Sequence, residues 1–449
     1  MKRKALLSLF LCVLMLLALP VSARADGAPA YRLVVWVDGQ EKAVRCYDES
    51  YDGNLYLSLT DLAAALSGSA RQFRLSYNNG EKAFHVHTGQ AASSAGNADQ
   101  AGWKYGVSYL NLRRNRLYVD GAERRYYTYA EGTDLYMSLA DIQLMLDVQA
   151  AVYDDGSVLF DPSRSYAADV PALAEDGFFD LFNAVLLGDA DTGELFFYKD
   201  PTVPYPIASL SKLMTYLLLC EAQDNGEISF SDMVSISAEA ARLSGTADSM
   251  VSLHEGSAVP FRELLTAMLL ASSNEAALAL AQHAAGSEAA FVARMNARAD
   301  ELGLRSACFY SPHGLPDYGG RSVPIKRQNS MSARDLFHLA SYLMEHYPEL
   351  TNTTSLQYAS MPSLDYTTAN SNPLVFNLPG CNGLKTGSTV KAGSCLAASL
   401  PVTVEGETHT LVAVVLGAES ADVRGQAAEI LLRYGRALCV ENGFGREAA

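Results

Sequence analysis

Residues 204–221 read P-Y-P-I-A-S-L-S-K-L-M-T-Y-L-L-L-C-E, and the rest of the chain is organised around this stretch. After two prolines, leucine and methionine recur at helical spacing, and the run is apolar nearly all round, which is typical of a helix inside a domain. Ser209 and Lys212 nevertheless lie in its first turn, three residues apart and therefore on one face. Since burial lowers the pKa of a lysine, the pattern predicts that Lys212 takes the proton of Ser209, the activated-nucleophile arrangement of acyl transfer.

The S-x-x-K pattern is short and occurs by chance about once or twice in a chain of this length. Ser388 and Lys391 form a second copy, in a predicted turn with no apolar helix after it. The predicted buried helix favours the copy at Ser209 as the one that carries the nucleophile. The other motifs of the chain provide the further evidence needed to choose between the two copies.

The first 25 residues have the features of a secretory signal peptide: a basic start, an apolar run too short for a comfortable membrane span and an A-x-A cleavage site. We therefore expect an exported protein with no later membrane span. The chain has 34 Lys and Arg against 50 Asp and Glu, a formal net charge of −16. Cleavage of the signal peptide would remove basic residues and make the protein more acidic. This acidic balance argues against nucleic acid as a partner and against electrostatic binding to anionic lipid.

The cysteines that would remain after cleavage are too sparse and irregular for a disulfide framework or a zinc site, and we expect buried thiols. Cys381 and Cys395 flank a predicted hairpin, and their pairing is left open. His85 and His87 alternate on a predicted strand without an evident third ligand, so the sequence predicts no metal site.

Residues 30–164 contain two copies of one pattern. Each copy has a V-D-G turn, an L-Y-[LM]-S-L-x-D segment and a second turn; the L-Y segments start at Leu55 and Leu135. The D-G and N-G pairs predict hairpins, and each S-L-x-D predicts a short helix capped by its serine. Each copy is thus a small α+β module, with a flexible spacer at residues 89–102 and a linker at residues 165–177.

The repeat resembles the copper amine oxidase N-terminal-like, or "stalk", domains that occur duplicated on bacterial surface proteins. The resemblance implies no copper here. Because the repeat offers no nucleophile, base or metal cluster, we expect it to bind a wall polymer or a protein partner, or else to space or stabilise the rest of the chain.

The pattern changes over residues 178–440. Predicted strands near residues 184–187 and 195–198 are followed by alanine-rich helices, and strands return at residues 383–400 and 410–416 before a closing helix. Strands at both ends imply one sheet built from the two ends of the domain, with a helical lobe inserted between them, which is an α+β fold.

Two polar motifs follow the Ser209 helix. Ser272-Ser273-Asn274 lies between two predicted apolar helices. Burying polar groups there costs free energy unless they form hydrogen bonds or have a functional role. Lys385-Thr386-Gly387 lies on a predicted strand, where glycine lets another backbone approach and lysine offers a cation to a carboxylate. Each motif alone is weak evidence for a catalytic site, since an S-x-N segment also serves as a helix cap. The three motifs S-x-x-K, S-x-N and K-T-G in this order are hard to obtain by chance.

The order of S-x-x-K, S-x-N and K-T-G resembles that of penicillin-binding proteins and serine β-lactamases. Five longer blocks are similar to the low-molecular-mass D-alanyl-D-alanine carboxypeptidases, serine peptidase family S11. They are A-D-T-G-E at 190–194, P-I-A-S-L-S-K-L-M-T at 206–215, S-P-H-G-L at 311–315, N-S-N at 370–372 and G-L-K-T-G at 383–387. The resemblance implies a β-lactamase/transpeptidase-like catalytic domain, an antiparallel sheet flanked by helices plus a helical lobe, behind the duplicated module.

The resemblance also implies the chemistry. Ser209 would attack the penultimate D-alanine carbonyl and form an acyl-enzyme, Lys212 would be the general base, and Ser272 would relay the proton toward the leaving D-alanine. The implied substrates are peptidoglycan stem peptides, the implied covalent inhibitors are β-lactams, and no cofactor is needed.

The implied binding residues come from the second and third motifs. Asn274 would hold the peptide amide, and Lys385 and Thr386 would hold the terminal carboxylate beside Gly387. The backbone N–H groups of Ser209 and Ser388 would form the oxyanion hole.

The sequence departs from the family at several points. Ser273 stands where glycine is usual, Asn382 stands where aspartate is usual, and residues 316–329 form a longer segment that would reshape the cleft rim. His313 is interpreted as a structural loop residue. The family's C-terminal β-domain and amphipathic anchor helix are not evident, so a secreted, wall-associated protein without that anchor is expected.

Three alternative functions remain open. A DD-endopeptidase would use the same site on cross-links. A serine β-lactamase would need a group for rapid deacylation; Pro348–Asn352 superficially resembles the class A loop but follows an A-R-D helix, as in the carboxypeptidases. A non-catalytic wall-binding protein would have a decayed site, whereas all three motifs are intact.

Overall fold

The computed structural model describes residues 31–49, 55–93, 96, 107–108, 110–153, 155–166, 169–244, 246, 250–316 and 327–444. The chain divides into two compact units, residues 1–178 and 179–449. The predicted signal peptide lies outside the described residues, as do most of the predicted spacer and most of the long segment at residues 316–329. None of the helices in the described ranges is long and apolar enough to cross a membrane.

The first unit consists of short strands and three short helices in the part of the chain that the structure describes. Its strands are β1 (Tyr31–Val37), β2 (Gln40–Glu49), β3 (Leu55–Ser58), β4 (Phe73–Asn78), β5 (Ala83–Thr88), β6 (Val107–Ser108), β7 (Leu117–Val119), β8 (Ala122–Arg124), β9 (Thr128–Glu131), β10 (Asp134–Ser138), β11 (Gln149–Val152) and β12 (Val158–Asp161). Its helices are α1 (Leu59–Ala65), α2 (Leu139–Leu146) and α3 (Val170–Glu175). Helix α3 lies within the stretch predicted as a linker, with Val170 and Leu173 buried.

The predicted caps and turns are present in both copies of the repeat. Ser58 Oγ accepts a hydrogen bond from the Asp61 N–H, and Ser138 Oγ accepts one from the Asp141 N–H, so each serine caps its helix. The β1–β2 and β7–β8 hairpins turn at D-G pairs with positive φ at both residues, the conformation that such pairs favour.

The two copies of the repeat are interlocked. The strands form one sheet in the order β11-β12-β1-β2-β3-β10-β9, with β6 beside β2, and a second sheet in the order β4-β5-β7-β8. The equivalent strands β3 and β10 pair antiparallel about Leu57 and Met137, which are themselves equivalent positions. Strand β5 of the first copy pairs in parallel with β7 of the second, and β12 of the second pairs in parallel with β1 of the first. The unit therefore has a pseudo-two-fold axis between β3 and β10.

A buried ionic network crosses between the two copies. The Arg45 guanidinium lies 2.8 Å from Asp61 Oδ2 in the first copy and 2.6 Å from Asp134 Oδ2 in the second. It also donates to Tyr136 Oη at 3.1 Å, and the Ser58 hydroxyl donates to Asp134 at 2.7 Å. Because the Arg45 side chain is only 17% exposed and contacts carboxylates of both copies, the network favours this register of the two copies.

The second unit contains the remaining strands and helices of the described residues. Its strands are β13 (Ala184–Asp189), β14 (Leu195–Lys199), β15 (Tyr205–Pro206), β16 (Met233–Ser235), β17 (Ala258–Pro260), β18 (Ser330–Met331), β19 (Tyr358–Met361), β20 (Tyr366–Ala369), β21 (Gly383–Thr389), β22 (Gly393–Val404) and β23 (Glu407–Ala418). Its α-helices are α4 (Lys212–Asp224), α5 (Ala238–Ser244), α6 (Phe261–Thr266), α7 (Asn274–Ala285), α8 (Glu288–Glu301), α9 (Ala333–His346), α10 (Leu350–Thr354), α11 (Leu374–Asn377) and α12 (Ala421–Asn442).

The main sheet of this unit confirms the predicted architecture. Its order is β14-β13-β23-β22-β21, and every pair is antiparallel. Two strands come from the start of the unit and three from its end, as the sequence predicted. A side chain at Gly188 would meet Phe337 of α9, whereas Leu187 lies against Gly435 of α12. Because successive strand residues face opposite sides, α9 and α12 cover the two faces, which explains why every residue of β13 is buried.

Candidate active site

Ser209 lies in a 3₁₀ turn, Ala208–Ser211, that leads directly into α4. The sequence predicted the first turn of an α-helix here; the structure differs because Ala208 has a positive φ of 48° and the turn is tighter. Side chains three residues apart eclipse each other in 3₁₀ geometry. Ser209 Oγ accordingly lies 2.8 Å from Lys212 Nζ.

Lys212 is fully buried and has three polar neighbours. Besides Ser209, its Nζ lies 2.8 Å from Asn274 Oδ1 and 2.9 Å from the His313 carbonyl oxygen. Those two oxygens are only acceptors, whereas the Ser209 hydroxyl both donates and accepts. A neutral amine has two N–H donors and one lone pair, and therefore matches this set if the Ser209 O–H donates to the lone pair.

The electrostatics of the site favour that neutral amine. Burial lowers the pKa of Lys212 well below its usual value, the nearby charge of Lys385 lowers it further, and Glu275 acts in the opposite direction. An amine that is neutral and hydrogen-bonded to a hydroxyl is a base positioned to accept its proton.

Two glycines allow other segments to pack against the Ser209 turn. A Cβ atom at Gly387 of β21 would lie 2.8 Å from the Ser209 nitrogen and 3.1 Å from the Leu210 nitrogen. A Cβ atom at Gly314, which has a φ of 87°, would clash with the Ala208 carbonyl. The close approach predicted from the K-T-G glycine is thus present, and it explains why both positions require glycine.

The S-S-N segment forms a sharp corner between two helices. Helix α6 continues as a π-helical turn, Ala267–Ala271, and Ser272 then adopts a left-handed conformation with φ 64°. Ser273 Oγ accepts a hydrogen bond from the Ala276 N–H and caps α7, so the residue that departs from the family pattern acts as a helix cap. The corner directs Asn274 to Lys212, whereas the described residues show no hydrogen bond from Ser272 Oγ to Ser209 or Lys212.

Lys385 and Thr386 lie on β21, the edge strand beside the Ser209 turn. The Lys385 amine is buried and donates to the Thr386 carbonyl at 2.9 Å. Burial, with a smaller contribution from the nearby charge of Arg424, lowers the pKa of Lys385 to about 7. Thr386 Oγ1 lies 2.7 Å from Ser371 Oγ. A buried cation next to a pair of hydroxyls is suited to a carboxylate ligand.

Three residues close to this site carried no role in the sequence prediction. Glu275, directly after the S-S-N motif, is buried and accepts the Met250 and Val251 N–H groups at 2.7 and 2.5 Å. Ser371 is the central residue of N-S-N, and Arg424 lies on α12 near Lys385. The position of Glu275 beside the motif was a usable signal, but the other two are brought close only by the tertiary fold.

Several other predicted features offer no side-chain hydrogen bond to Ser209 or Lys212 in the part of the chain that the structure describes. The second S-x-x-K falls on β21 and the following turn, and Lys391 is exposed. Glu349, in the stretch that superficially resembles the class A loop, is exposed just before α10. The His313 ring accepts from the Leu315 N–H at 3.1 Å, consistent with a structural loop residue, although its carbonyl contacts Lys212. Cys381 and Cys395 are buried, free thiols.

Within the described residues, one cluster has the side chains of a metal site. Ligand atoms of Asp189, Asp191 and His409 lie within 4.8 Å of one another. They are engaged with the protein, since His409 Nδ1 lies 2.6 Å from Asp189 Oδ2 and the Thr410 N–H donates to Asp191 Oδ2 at 2.6 Å. The predicted histidine pair is engaged as well: the His85 ring lies 2.9 Å from Glu81, and the His87 ring lies 3.4 Å from the Ser76 hydroxyl.

Comparison with known proteins assigns the second unit. The sequence profile of the Peptidase S11 family, the D-alanyl-D-alanine carboxypeptidases, matches residues 182–420. This chain belongs to that family. It is 34% identical over 254 residues to the D-alanyl-D-alanine carboxypeptidase DacF of Bacillus subtilis, covering 56% of this chain and 61% of the relative. It is also 31% identical over 219 residues to a D-alanyl-D-alanine endopeptidase of Pseudomonas aeruginosa, covering 47% and 65%. The chain thus spans about three-fifths of the length of the curated carboxypeptidases that it matches.

A solved structure shares the fold of this S11 unit. Penicillin-binding protein D2 of Listeria monocytogenes, in an ampicillin-bound form, matches with a TM-score of 0.50 and 31% identity, covering 57% of this chain and 97% of that chain. The penicillin-binding-protein fold predicted from the motifs is therefore confirmed.

Proposed function

We propose that the protein is a serine-type D-alanyl-D-alanine carboxypeptidase that removes the terminal D-alanine from peptidoglycan stem pentapeptides. The observation that carries the proposal is the buried Lys212 amine, with Ser209 Oγ at 2.8 Å and two pure acceptors as its other neighbours. Family membership and the names of the relatives support the same activity.

The proposed reaction has two steps. Ser209 Oγ bonds to the penultimate D-alanine carbonyl carbon while Lys212 Nζ takes the hydroxyl proton. Lys212 then passes that proton through Ser272 to the amine of the terminal D-alanine as the C–N bond breaks, and D-alanine leaves. Water next attacks the ester carbonyl carbon while Lys212 takes one of its protons, and Lys212 passes that proton to Ser209 Oγ as the ester C–O bond breaks. The N–H groups of Ser209 and Ser388 are assigned to the oxyanion in both steps.

Substrate binding is assigned to the remaining motif residues. Lys385 would pair with the terminal carboxylate, assisted by the Thr386 hydroxyl, and Asn274 would orient the peptide while it holds Lys212. β-Lactams would acylate Ser209 in the same way as the substrate, which is consistent with the ampicillin-bound form of the Listeria relative. No step requires a cofactor.

A DD-endopeptidase is the second candidate, favoured by the relative of that name in Pseudomonas aeruginosa. It would use the same nucleophile and base on a cross-linked D-alanine bond. Mass spectrometry of muropeptides after digestion separates the two functions, because a carboxypeptidase releases D-alanine and an endopeptidase releases monomers from dimers.

A labelled penicillin tests the proposed site directly. We expect covalent labelling that Ser209→Ala abolishes and that Lys212→Ala slows by orders of magnitude, since the base is lost. Lys391→Ala, in the second S-x-x-K motif, is the matched control and should label normally. Labelling that survives Ser209→Ala would place the nucleophile elsewhere and contradict the proposal.

A further inference from the structure

The loop S-P-H-G-L at residues 311–315 presents two successive carbonyl oxygens to helix α4. The Pro312 carbonyl accepts a hydrogen bond from the Thr215 hydroxyl at 2.6 Å, and the His313 carbonyl accepts one from Lys212 Nζ at 2.9 Å. The direction of the Lys212 amine, and therefore of its lone pair, depends on where this loop holds the second of those oxygens.

Side chains of the loop accept its own N–H groups. The Gly314 N–H donates to Ser311 Oγ at 3.0 Å, and the Leu315 N–H donates to His313 Nδ1 at 3.1 Å. Gly314 has a φ of 87°, and a glycine by itself leaves the backbone free to rotate. The hydrogen bond that spans Gly314, from Leu315 to the imidazole, limits this rotation and holds the adjoining peptide unit, which carries the His313 carbonyl.

The hydrogen bond from Leu315 specifies the protonation state of the imidazole. A backbone N–H is only a donor, so His313 Nδ1 holds a lone pair, and the proton of the neutral ring lies on Nε2. His313 Nε2 lies 3.5 Å from Glu288 Oε1, and this carboxylate favours the same tautomer. A ring that is protonated on both nitrogens has no acceptor for the Leu315 N–H.

The imidazole is buried among charged groups from three helices. His313 is only 8% exposed; Glu288 approaches it from α8, and Lys212 of α4 and Glu275 of α7 act on it electrostatically. A cavity of about 480 Å³ adjoins the ring and is also lined by Tyr310 and Arg327. Burial lowers the pKa of His313, the two carboxylates oppose this effect, and the charge of Lys212 adds to it. The neutral ring is therefore the form present near neutral pH.

We propose that the His313 imidazole is a positioning residue for Lys212, the base of the proposed reaction. The unprotonated Nδ1 holds the loop in the conformation that directs the His313 carbonyl at Lys212, and protonation of the ring releases that carbonyl. The inference rests on the proposed function, because it concerns the base of acylation. It adds a second group that must lose its proton before Ser209 reacts.

Two variants separate the role of the acceptor from that of the ring. In His313→Asn, the side-chain oxygen can accept the N–H two residues further on, as asparagine does in turns, but it does not titrate. Its rate of penicillin acylation at neutral pH should be close to that of the wild type. His313→Leu has no acceptor and should acylate about tenfold more slowly, the order of effect expected for the loss of one orienting hydrogen bond.

The pH dependence distinguishes positioning from a merely structural role. Because Lys212 titrates in both proteins, the ratio of the wild-type rate to the His313→Asn rate largely cancels its contribution. This ratio should fall about tenfold as the pH decreases through the lowered pKa of His313, since only the wild type then loses its acceptor. His338→Asn, which replaces an exposed histidine of α9, is the matched control, and the corresponding ratio should stay constant.

Three results would overturn the inference: a constant ratio for His313→Asn, an acylation rate of His313→Leu equal to that of the wild type, or the opposite tautomer. Nitrogen NMR of the wild-type ring tests the tautomer without a variant or a substrate, and it should show an unprotonated Nδ1 and a protonated Nε2 at neutral pH. Absence of penicillin labelling in a wild type with the expected tautomer would support the loop geometry and count against the proposed function instead.

Discussion

In the proposed reaction, the two buried lysines of the site, Lys212 and Lys385, need opposite protonation states. Lys212 must be neutral to accept the Ser209 proton, and the positive charge of Lys385 helps to keep it so by lowering its pKa. Lys385 must be charged to pair with a carboxylate, although burial lowers its pKa to about 7. The site therefore works in a window in which one amine has lost its proton and the other still holds it.

This pair predicts a bell-shaped pH dependence of kcat/KM. Activity should rise as pH increases through the depressed pKa of Lys212, because the neutral amine is the base. It should fall as pH increases through about 7, because Lys385 then loses the charge that binds the carboxylate. The measurement is hydrolysis of a D-Ala-D-Ala peptide across pH.

Lys385→Arg is the control for the alkaline limb. Arginine stays charged throughout this range. The limb near pH 7 should therefore move to higher pH even if the altered geometry lowers the rate at every pH. A limb that stays in place would mean that another group titrates there.

The sequence predicted the residues that chemistry makes conspicuous and missed those that only the fold brings together. Ser209, Lys212 and Asn274 were predicted from motif and spacing, and the structure joins them by hydrogen bonds. The His313 carbonyl and the Ser371 hydroxyl were not predicted, because a backbone oxygen has no sequence signature and a serine far along the chain acquires its neighbour only through tertiary packing.

At the scale of elements, the site depends on how closely β21 approaches the 3₁₀ turn. Gly387→Ala should slow penicillin acylation by about tenfold or more, because the added methyl group would be too close to the Ser209 and Leu210 nitrogens. Overpacking of this kind costs about 1–3 kcal/mol. The acylation rate is the measurement. Gly80→Ala is the control, because its Cβ meets only the Asn78 side chain, at 3.4 Å. An acylation rate for Gly387→Ala equal to that of the control would mean that the strand and the turn adjust freely.

Element types were easier to predict than element pairing. The hairpin turns and the serine caps of α1 and α2 follow from local rules and are present. The exchange in which β5 pairs with β7 and β12 with β1 has no local signature, because either copy could have closed its sheet on itself. The 3₁₀ turn at Ser209 was likewise hidden, since its residues also suit an α-helix.

At the scale of the whole molecule, the chemistry and the repeat belong to separate units. All motif residues from Ser209 to Lys385 lie in the second unit, which matches a solved penicillin-binding protein over 97% of that protein's chain. A truncated protein beginning near residue 170 should therefore keep its activity on a small D-Ala-D-Ala peptide. It should lose co-sedimentation with whole cell wall if the repeat binds a wall polymer, which is one of the two roles that we expect for it.

Each outcome of that truncation has a distinct meaning. Sedimentation equal to that of the longer protein would contradict the tethering role. Loss of peptide activity in a folded fragment would mean that the repeat completes the active site.

The interlocked repeat has a consequence for how such a unit originates and persists. Pairing of β3 with β10 about the equivalent residues Leu57 and Met137 is the geometry of an isologous homodimer, in which one strand meets its own copy across a two-fold axis. Tandem fusion of two such copies turns a bimolecular association into an intramolecular one, with an effective concentration set by the connection between them. A unit built in this way keeps a dimer-like surface that dilution cannot dissociate.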